Sequence, residues 1–296
     1  MRIFLTGATG FIGSAIVAEL INAGHQVVGL ARSDANAKSL AAAGAQVHRG
    51  SIEDLDSLRS GAAAADAVIH TAFNHDFSKW AENCENDRRV IEALGSALAG
   101  SNRPLVITSG TGLVTRPDGR PAAEDDPPTS TVPRVKSEEA ANAMAARGVH
   151  VSVVRLPVSV HGDGDHGFVP TLIRIAREKH AAAYVGEGSN RWPAVHRLDA
   201  AHLYRLVLEK GAAGARYHGV GEEGIAFRDI AGVIARRLNL PVVSKTPEEA
   251  AEHFGWFSHF AGLDTPASSE KTRKELGWHP THVGLIADLE RGSYFD

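Results

Sequence analysis

Cysteine occurs once in this 296-residue sequence, at Cys84, so an intrachain disulfide and a thiolate zinc cage are both excluded. Tyrosine is almost as scarce. Tyr184, Tyr204, Tyr217 and Tyr294 are the only four, a point that later limits the chemistry. Long apolar runs are missing: nowhere do about 18 apolar residues follow one another, so no segment is expected to cross a membrane. Neither sign of charge dominates. Thirty-one Lys and Arg stand against 35 Asp and Glu, without the basic excess that a nucleic-acid-binding face needs. The opening MRIFLTGATG lacks the basic, apolar and cleavage regions of a signal peptide. A cytoplasmic protein without nucleic-acid or membrane partners is expected.

What is present is alternation. Short apolar runs at Ile3–Leu5, Gln26–Leu30, Gln46–Arg49, Ala67–Thr71, Leu105–Ser109 and His150–Leu156 read as strands. Helical patterns at Ser14–Ala23, Ala35–Ala43, Ile52–Ala63, Asn86–Ala99 and Ser137–Ala146 separate them. Strands and helices alternating at these lengths predict an α/β fold, a doubly wound parallel sheet of the Rossmann kind. After Pro157 the texture changes to stretches richer in Gly, Pro, His and aromatic residues, interrupted by one more helix at Asp199–Glu209. The expected division is a cofactor domain over 1–157, taking in about 198–212. A smaller C-terminal substrate domain is expected over 158–197 and 213–296.

The strongest local feature is TGATGFIG, Thr6–Gly13, between the first strand and the first helix. Gly7 permits the tight turn, Gly10 lets the backbone approach a pyrophosphate, and Gly13 allows close packing of helix on sheet. The phosphates would sit on the free N–H groups of the helix N-terminus. Thr9, Phe11 and Ile12 are counted with Gly7 and Gly10 as cofactor-binding. At the end of the second strand an acidic residue would hold the ribose of NAD, whereas a basic one suits the 2′-phosphate of NADP. This chain reads VVGLARSD, with Ala31 at the acidic position and Arg32 and Ser33 next. NADP is therefore expected rather than NAD, held by Arg32 and Ser33, the alternative being a solvated Arg32 with Asp34 on the ribose.

These residues resemble the extended and atypical short-chain dehydrogenases/reductases, the group that includes the NAD-dependent epimerases/dehydratases. VIHTAF (Val68–Phe73), VITSGTGLV (Val106–Val114), RLPVSVHG (Arg155–Gly162), RWPAVHRLDAA (Arg191–Ala201) and SEKTRKELGWHP (Ser269–Pro280) are similar to further motifs of that group, in order. The resemblance implies cofactor contacts from Ser51, Ile52, Thr71, Ala72, Phe73, Pro157, Val158 and Val160. It also implies that Ser109 or Thr111 carries the catalytic hydroxyl.

One departure matters. The group's general acid is the Tyr of YxxxK, and no tyrosine of this chain lies near that place, where the sequence is PPTSTVPRVKSEEAA. Placing Lys136 at the motif lysine puts Val132 at the Tyr position; placing Arg134 there puts Ser130. The Arg134 register is preferred, and it resembles an atypical subgroup in which basic residues replace YxxxK, here without the usual first one.

The catalytic candidates are thus Ser109, Thr111, Arg134 and Lys136. Arginine cannot donate a proton at neutral pH, so it would stabilise charge, with Arg134 or Lys136 holding the nicotinamide ribose. Proton supply would fall to Lys136, to water or to a histidine such as His161, His166 or His196. HGDGDHG (His161–Gly167) invites a metal reading, but the family match accounts for it, and no metal is expected. The aromatic group Phe168, Trp192, Phe254, Trp256, Phe257 and Phe260 reads by default as the core of the smaller domain, and otherwise as a substrate pocket or dimer contact. Few basic residues accompany it, so a small, partly aromatic carbonyl compound suits it better than a nucleotide-sugar diphosphate. The expected function is NADP-dependent hydride transfer on a small carbonyl or alcohol with a non-standard proton donor. The alternatives are a catalytically silent NADP-binding regulator and a sugar-nucleotide epimerase/dehydratase. Quaternary state stays open, a homodimer through paired helices being the family's habit.

Overall fold

Ile3, Phe4 and Leu5 lose all contact with solvent, as do Ala67, Val68, Ile69, Leu105, Val106 and Ile107. Contiguous buried runs of this kind belong to parallel strands covered by helices on both faces. In the computed structural model, which describes residues 1–291 and 293–296, these runs form the centre of a seven-stranded sheet. The first half of the chain runs β1 (Arg2–Thr6), α1 (Phe11–Asn22), β2 (Gln26–Ala31), α2 (Asp34–Ala42), β3 (Gln46–Arg49) and α3 (Leu55–Ala63). It continues with β4 (Ala67–His70), α4 (Trp80–Leu98), β5 (Leu105–Gly110), α5 (Lys136–Ala146) and β6 (Val151–Leu156).

The later chain adds β7 (Ser159–His161), α6 (Phe168–Lys179), β8 (Ala182–Val185), β9 (Arg191–His196), α7 (Arg197–Lys210) and β10 (Arg216–His218). Then come β11 (Glu222–Ala226), α8 (Phe227–Leu238), β12 (Val242–Lys245), α9 (Pro247–Phe254), α10 (Ser258–Ala261), α11 (Glu270–Leu276) and α12 (Leu285–Arg291). The large sheet has the order β10-β6-β5-β4-β1-β2-β3, with every neighbouring pair parallel. This is the doubly wound Rossmann arrangement. Its order reverses between β1 and β4, and ligands of such sheets bind outside the carboxyl ends of the strands at that switch.

The first helix begins three residues earlier than expected, at Phe11 rather than Ser14, and two further helix starts differ through a side-chain cap. Asp54 accepts a hydrogen bond from the Ser57 amide at 3.0 Å, so α3 begins at Leu55 and leaves Ser51 and Ile52 in the loop before it. Asp76 accepts from the Ser78 amide at 3.0 Å and starts a 3₁₀ turn, Phe77–Lys79, that runs straight into α4 ahead of the expected Asn86. Asp76 is an N-capping residue in the ordinary sense.

The smaller unit holds a three-stranded sheet, β11-β9-β7, and a parallel pair, β12-β8, wrapped by helices. Trp192, Phe227 and Phe257 are fully buried in its core, with the Trp192 and Phe227 rings 4.9 Å apart. Burying one such ring contributes about 1.5–3 kcal/mol. The expected range 213–296 for this unit requires correction. β10 is the edge strand of the large sheet, and Tyr217, Leu276 and Trp278 pack into that sheet's core. Trp278 also donates its indole N–H to the Asp199 carbonyl at 3.0 Å, tying the late segment to α7.

Candidate functional site

All strands of the large sheet point one way, so their carboxyl ends share one edge, and the turns there carry the expected site residues. Gly7, Thr9, Gly10, Phe11 and Ile12 span the turn from β1 into α1, while Arg32 and Ser33 follow β2 and Ser51 and Ile52 follow β3. Thr71, Ala72 and Phe73 follow β4, Ser109 ends β5 with Thr111 just beyond, and Pro157, Val158 and Val160 follow β6. Arg134 lies in the 3₁₀ turn Pro133–Val135, and Lys136 opens α5.

The turn from β1 into α1 is built for close backbone approach. A Cβ on Gly13 would lie 1.9 Å from the Gly7 carbonyl oxygen, and Gly7 itself has φ +71° with the Ala72 amide nitrogen 2.7 Å from where its Cβ would be. No other residue fits either position. The first amides of α1 are left without intrahelical acceptors and face the crevice, a ready anion site. At the end of β2, Arg32 is exposed and has no carboxylate partner among the described residues, whereas Asp34 is paired with Arg49 at 2.5 Å. Ser33 spends its hydroxyl on capping α2, accepting from the Asn36 amide at 3.2 Å. These features fit a phosphate-bearing dinucleotide.

The catalytic candidates do not converge on one point. Ser109 donates to Glu138 at 2.8 Å; Glu138 in turn binds Arg155 through both oxygens, at 2.7 and 2.8 Å, and Arg216 at 2.9 Å. Arg155 is wholly buried. Burial would raise the Glu138 pKa, but Arg155, Arg216 and Ser109 together hold it below the usual carboxylate range. The Ser109 hydroxyl is therefore committed to this network. Thr111 differs: its hydroxyl is buried and has no hydrogen-bond partner. Such a group costs free energy unless a ligand satisfies it.

Arg134 is held from several sides. One Nη1 donates to Asp87 at 2.7 Å and also contacts the Ser137 hydroxyl, Nη2 donates to the Thr108 carbonyl at 3.0 Å, and Cζ lies 4.3 Å above the Phe73 ring. Asp87 accepts from His70 Nε2 at 3.0 Å, and the Thr6 hydroxyl meets His70 Nδ1 at 2.7 Å. Burial works to raise the Asp87 pKa, yet the Arg134 charge with His70 and Ser137 holds it at about 2. Lys136 reaches the other way, to Glu85 at 2.8 Å.

Three residues of this edge escaped the sequence reading. Asp87 stands on the apolar face of α4, three and four positions before the buried Val90 and Ile91, and a carboxylate in that stripe was the available signal. His75, in the loop after β4, lies edge-on to Phe73 with centroids 5.1 Å apart, and no side chain hydrogen-bonds its ring among the described residues. Its side chain is exposed to solvent, yet desolvation by its neighbours and then the Arg134 charge lower its pKa below the usual imidazole value. Arg197 is the third, and nothing in its local sequence announced it.

The expected histidines separate. His161 is buried, and its Nδ1 donates to the Asp288 carboxylate at 2.8 Å. His196 stacks on His282 at 4.7 Å, and His166 lies edge-on to Phe11 at 5.8 Å. The late aromatics divide as well. Trp192, Phe254 and Phe257 are core, while Phe77 from the cofactor unit meets Trp256 at 5.1 Å and Phe260 at 5.7 Å across the cleft. Trp256 remains 53% exposed, so these rings form a wall at the mouth rather than a closed core.

Comparison with known proteins places these observations. A family model described as NAD dependent epimerase/dehydratase matches residues 3–220. An uncharacterized protein of Schizosaccharomyces pombe is 52% identical over 296 residues, spanning 100% of both chains. A 4-hydroxy-2-methyl-3-oxo-4-farnesyl-3,4-dihydroquinoline-1-oxide ketoreductase of Stigmatella aurantiaca is 25% identical, covering 94% of this chain and 92% of that one. Among solved structures, a dTDP-glucose 4,6-dehydratase of Streptomyces venezuelae with NAD bound shares the fold at a TM-score of 0.79 and 22% identity, covering 98% of this chain and 95% of that one. No helix among the described residues is long and apolar enough to cross a membrane.

Proposed function

Because the chain belongs to the NAD-dependent epimerase/dehydratase family, we propose that it is an NADP-dependent oxidoreductase acting on a small carbonyl or alcohol. The observation that carries the reading is the glycine cradle of Gly7 and Gly13 with the unpaired Arg32 at the adjacent strand end. The similarity to a ketoreductase supports a carbonyl substrate. The aromatic wall at the cleft mouth suits a compact, partly aromatic molecule.

When bound, the dinucleotide would supply the hydride chemistry. The chain's part is to fix and polarise the substrate. Thr111, just beyond β5, offers its unsatisfied hydroxyl to the substrate oxygen once a small local shift uncovers it, since it is fully buried here. Arg134, held by Asp87 and stacked on Phe73, places a fixed positive charge beneath the cofactor segment Thr71–Phe73. His75 exchanges the proton. As a neutral imidazole it takes the hydroxyl proton of an alcohol; in the reductive direction the ring first takes up a proton from solvent and, as imidazolium, gives it to the oxygen. Ser109 and Lys136 have no part in this scheme, since Glu138 and Glu85 hold them.

A second reading is a catalytically silent NADP-binding regulator, favoured by the ion pairs that absorb Arg134 and Lys136. Titration of the purified protein with NADPH, followed by NADPH oxidation against aldehydes, ketones and imines, separates the two. Binding with turnover on a member of the panel supports the oxidoreductase. Tight binding with no turnover on any of them sinks it in favour of the silent reading.

A further inference from the structure

Arg197, the first residue of α7, carries a charge that no carboxylate pairs with directly among the described residues. No acidic oxygen lies within ion-pairing distance of it among the described residues; its Nη1 donates to the Asp163 carbonyl at 2.7 Å and its Nη2 to the Ser14 hydroxyl at 3.0 Å. Nε is buried with no partner at all, and Cζ lies 4.7 Å above the Phe11 ring. Burial pulls its pKa below the usual arginine value, the Asp163 charge offsetting only part of this. A guanidinium so placed lacks an anion.

The position says which anion. Phe11 and Ser14 are the first and fourth residues of α1, so the guanidinium hangs over the same helix end whose free amides face the crevice. The loop Gly162–Gly164 threads beneath the arginine. Gly162 has φ +129°, and a Cβ there would come 2.9 Å from His196 Nε2 and 3.1 Å from Arg197 Cγ, so glycine keeps this loop close under the arginine. Smaller-unit loop, α7 and glycine-rich turn therefore meet at one guanidinium.

We propose that Arg197 is a ligand of the dinucleotide's diphosphate, clamping it from the side of the smaller unit against the amides of α1. This rests on the dinucleotide reading above and goes beyond it, because it assigns the clamp to a residue outside the glycine-rich motif. A planar guanidinium offers paired N–H donors suited to phosphate oxygens, and its Nε–H gains in the complex the acceptor it otherwise lacks. The clamp also makes the loop after β7 sense the cofactor, since Arg197 holds Asp163 through the same guanidinium.

The test is fluorescence titration of the full chain with NADPH, NADH and adenosine 2′-monophosphate, which has the 2′-phosphate but no diphosphate. Arg197→Met keeps the packing over Phe11 and Gly162 and removes the charge. It should weaken NADPH and NADH alike, by about tenfold or more, and leave adenosine 2′-monophosphate unchanged. Arg197→Lys should recover part of the loss, because it restores the charge without the fork. Equal affinity of wild type and Arg197→Met for both dinucleotides overturns the clamp, as does an equal loss for adenosine 2′-monophosphate, which would mean general damage to the fold. Ser14→Ala provides a second variant that keeps the arginine and removes its anchor, and a loss confined to the dinucleotides is again expected. Failure of the wild-type protein to bind any of the three probes would overturn the dinucleotide reading itself, a result distinct from all of these.

Discussion

Arg134 Nη1 lies 2.7 Å from Asp87 Oδ2, a pair formed between α4 and the turn before α5, with Asp87 only 4% exposed. His70 holds the other carboxylate oxygen at 3.0 Å. A buried charge left without its partner is costly, whereas a balanced pair is nearly neutral. Asp87→Asn should therefore lower unfolding free energy by about 3–5 kcal/mol, read from urea denaturation near neutral pH. Arg134→Met should cost a similar amount, and the double variant clearly less than the two together. Additive losses would show that the two side chains are not coupled.

Two hydroxyls at the end of β5 should behave in opposite ways. Thr111 has a buried hydroxyl with no partner, and Ser109 has one committed to Glu138. Thr111→Val should reduce kcat by about 10²–10³ with little change in NADPH affinity, the size of effect for one oxyanion donor. Ser109→Ala should leave kcat near the wild-type value and cost about 1–3 kcal/mol of stability, because Glu138 loses one donor. His75→Gln, which keeps a polar group without a titrating ring, should abolish the pH dependence of kcat between about pH 5 and 8. If Ser109→Ala lost activity while Thr111→Val kept it, the proposed assignment of the hydroxyls would be reversed.

The sheet was legible in the sequence because its central strands are covered on both faces, so Ile3–Leu5 and Val106–Ile107 stand out as unbroken apolar runs. β10 escaped because three residues, Arg216–His218, show no periodicity, and only the burial of Tyr217 against β6 identifies them. The start of α4 escaped because Asp76 and Ser78 read as loop residues until their hydrogen bond is seen. The glycine-rich turn was legible because Gly7 and Gly13 answer a steric demand within one short stretch. The Thr6–His70–Asp87–Arg134 chain was not, since its members come from four separate elements. Nor could spacing show that Ser109 would be spent on Glu138, a residue of a later helix.

The proposed preference for NADP rests on the contrast between two arginines at neighbouring strand ends. Arg49 is paired with Asp34 in an exposed bridge, side chains 55% and 86% exposed, and such bridges contribute little. Arg32 has no such partner and is available to a 2′-phosphate. Arg32→Ala should weaken NADPH by about tenfold or more and NADH much less, in parallel equilibrium titrations. Asp34→Ala should leave NADH affinity near wild type, because the carboxylate faces Arg49 rather than a ribose. Equal loss for both dinucleotides in Arg32→Ala would refute the 2′-phosphate assignment.

Acid should find a weak point at His218. Its ring is wholly buried in β10, with Nδ1 donating to the Ser268 carbonyl at 2.8 Å and Nε2 facing Arg155 Nη1 at 3.3 Å. The ring thus accepts from a guanidinium and has no room for a second proton. Burial first, and then the Arg155 charge, lower its pKa to about 4. An unfolded histidine titrates near 6.5. Between these values the unfolded chain binds a proton that the native chain refuses, so stability is complete above about pH 6.5 and falls as pH drops toward 4. The full loss attributable to this one ring is about 3 kcal/mol. His75, His196 and His253 are also lowered and add to the slope in the same direction. The depressed carboxylates Asp87 and Glu138 act further down, below the usual carboxylate range. His218→Gln keeps an acceptor for Arg155 and a donor for the Ser268 carbonyl, so it should lower stability at neutral pH yet flatten the decline between about pH 6.5 and 4.5. Urea midpoints at several pH values in that window, compared between wild type and variant, measure the difference; parallel declines would remove His218 as the cause.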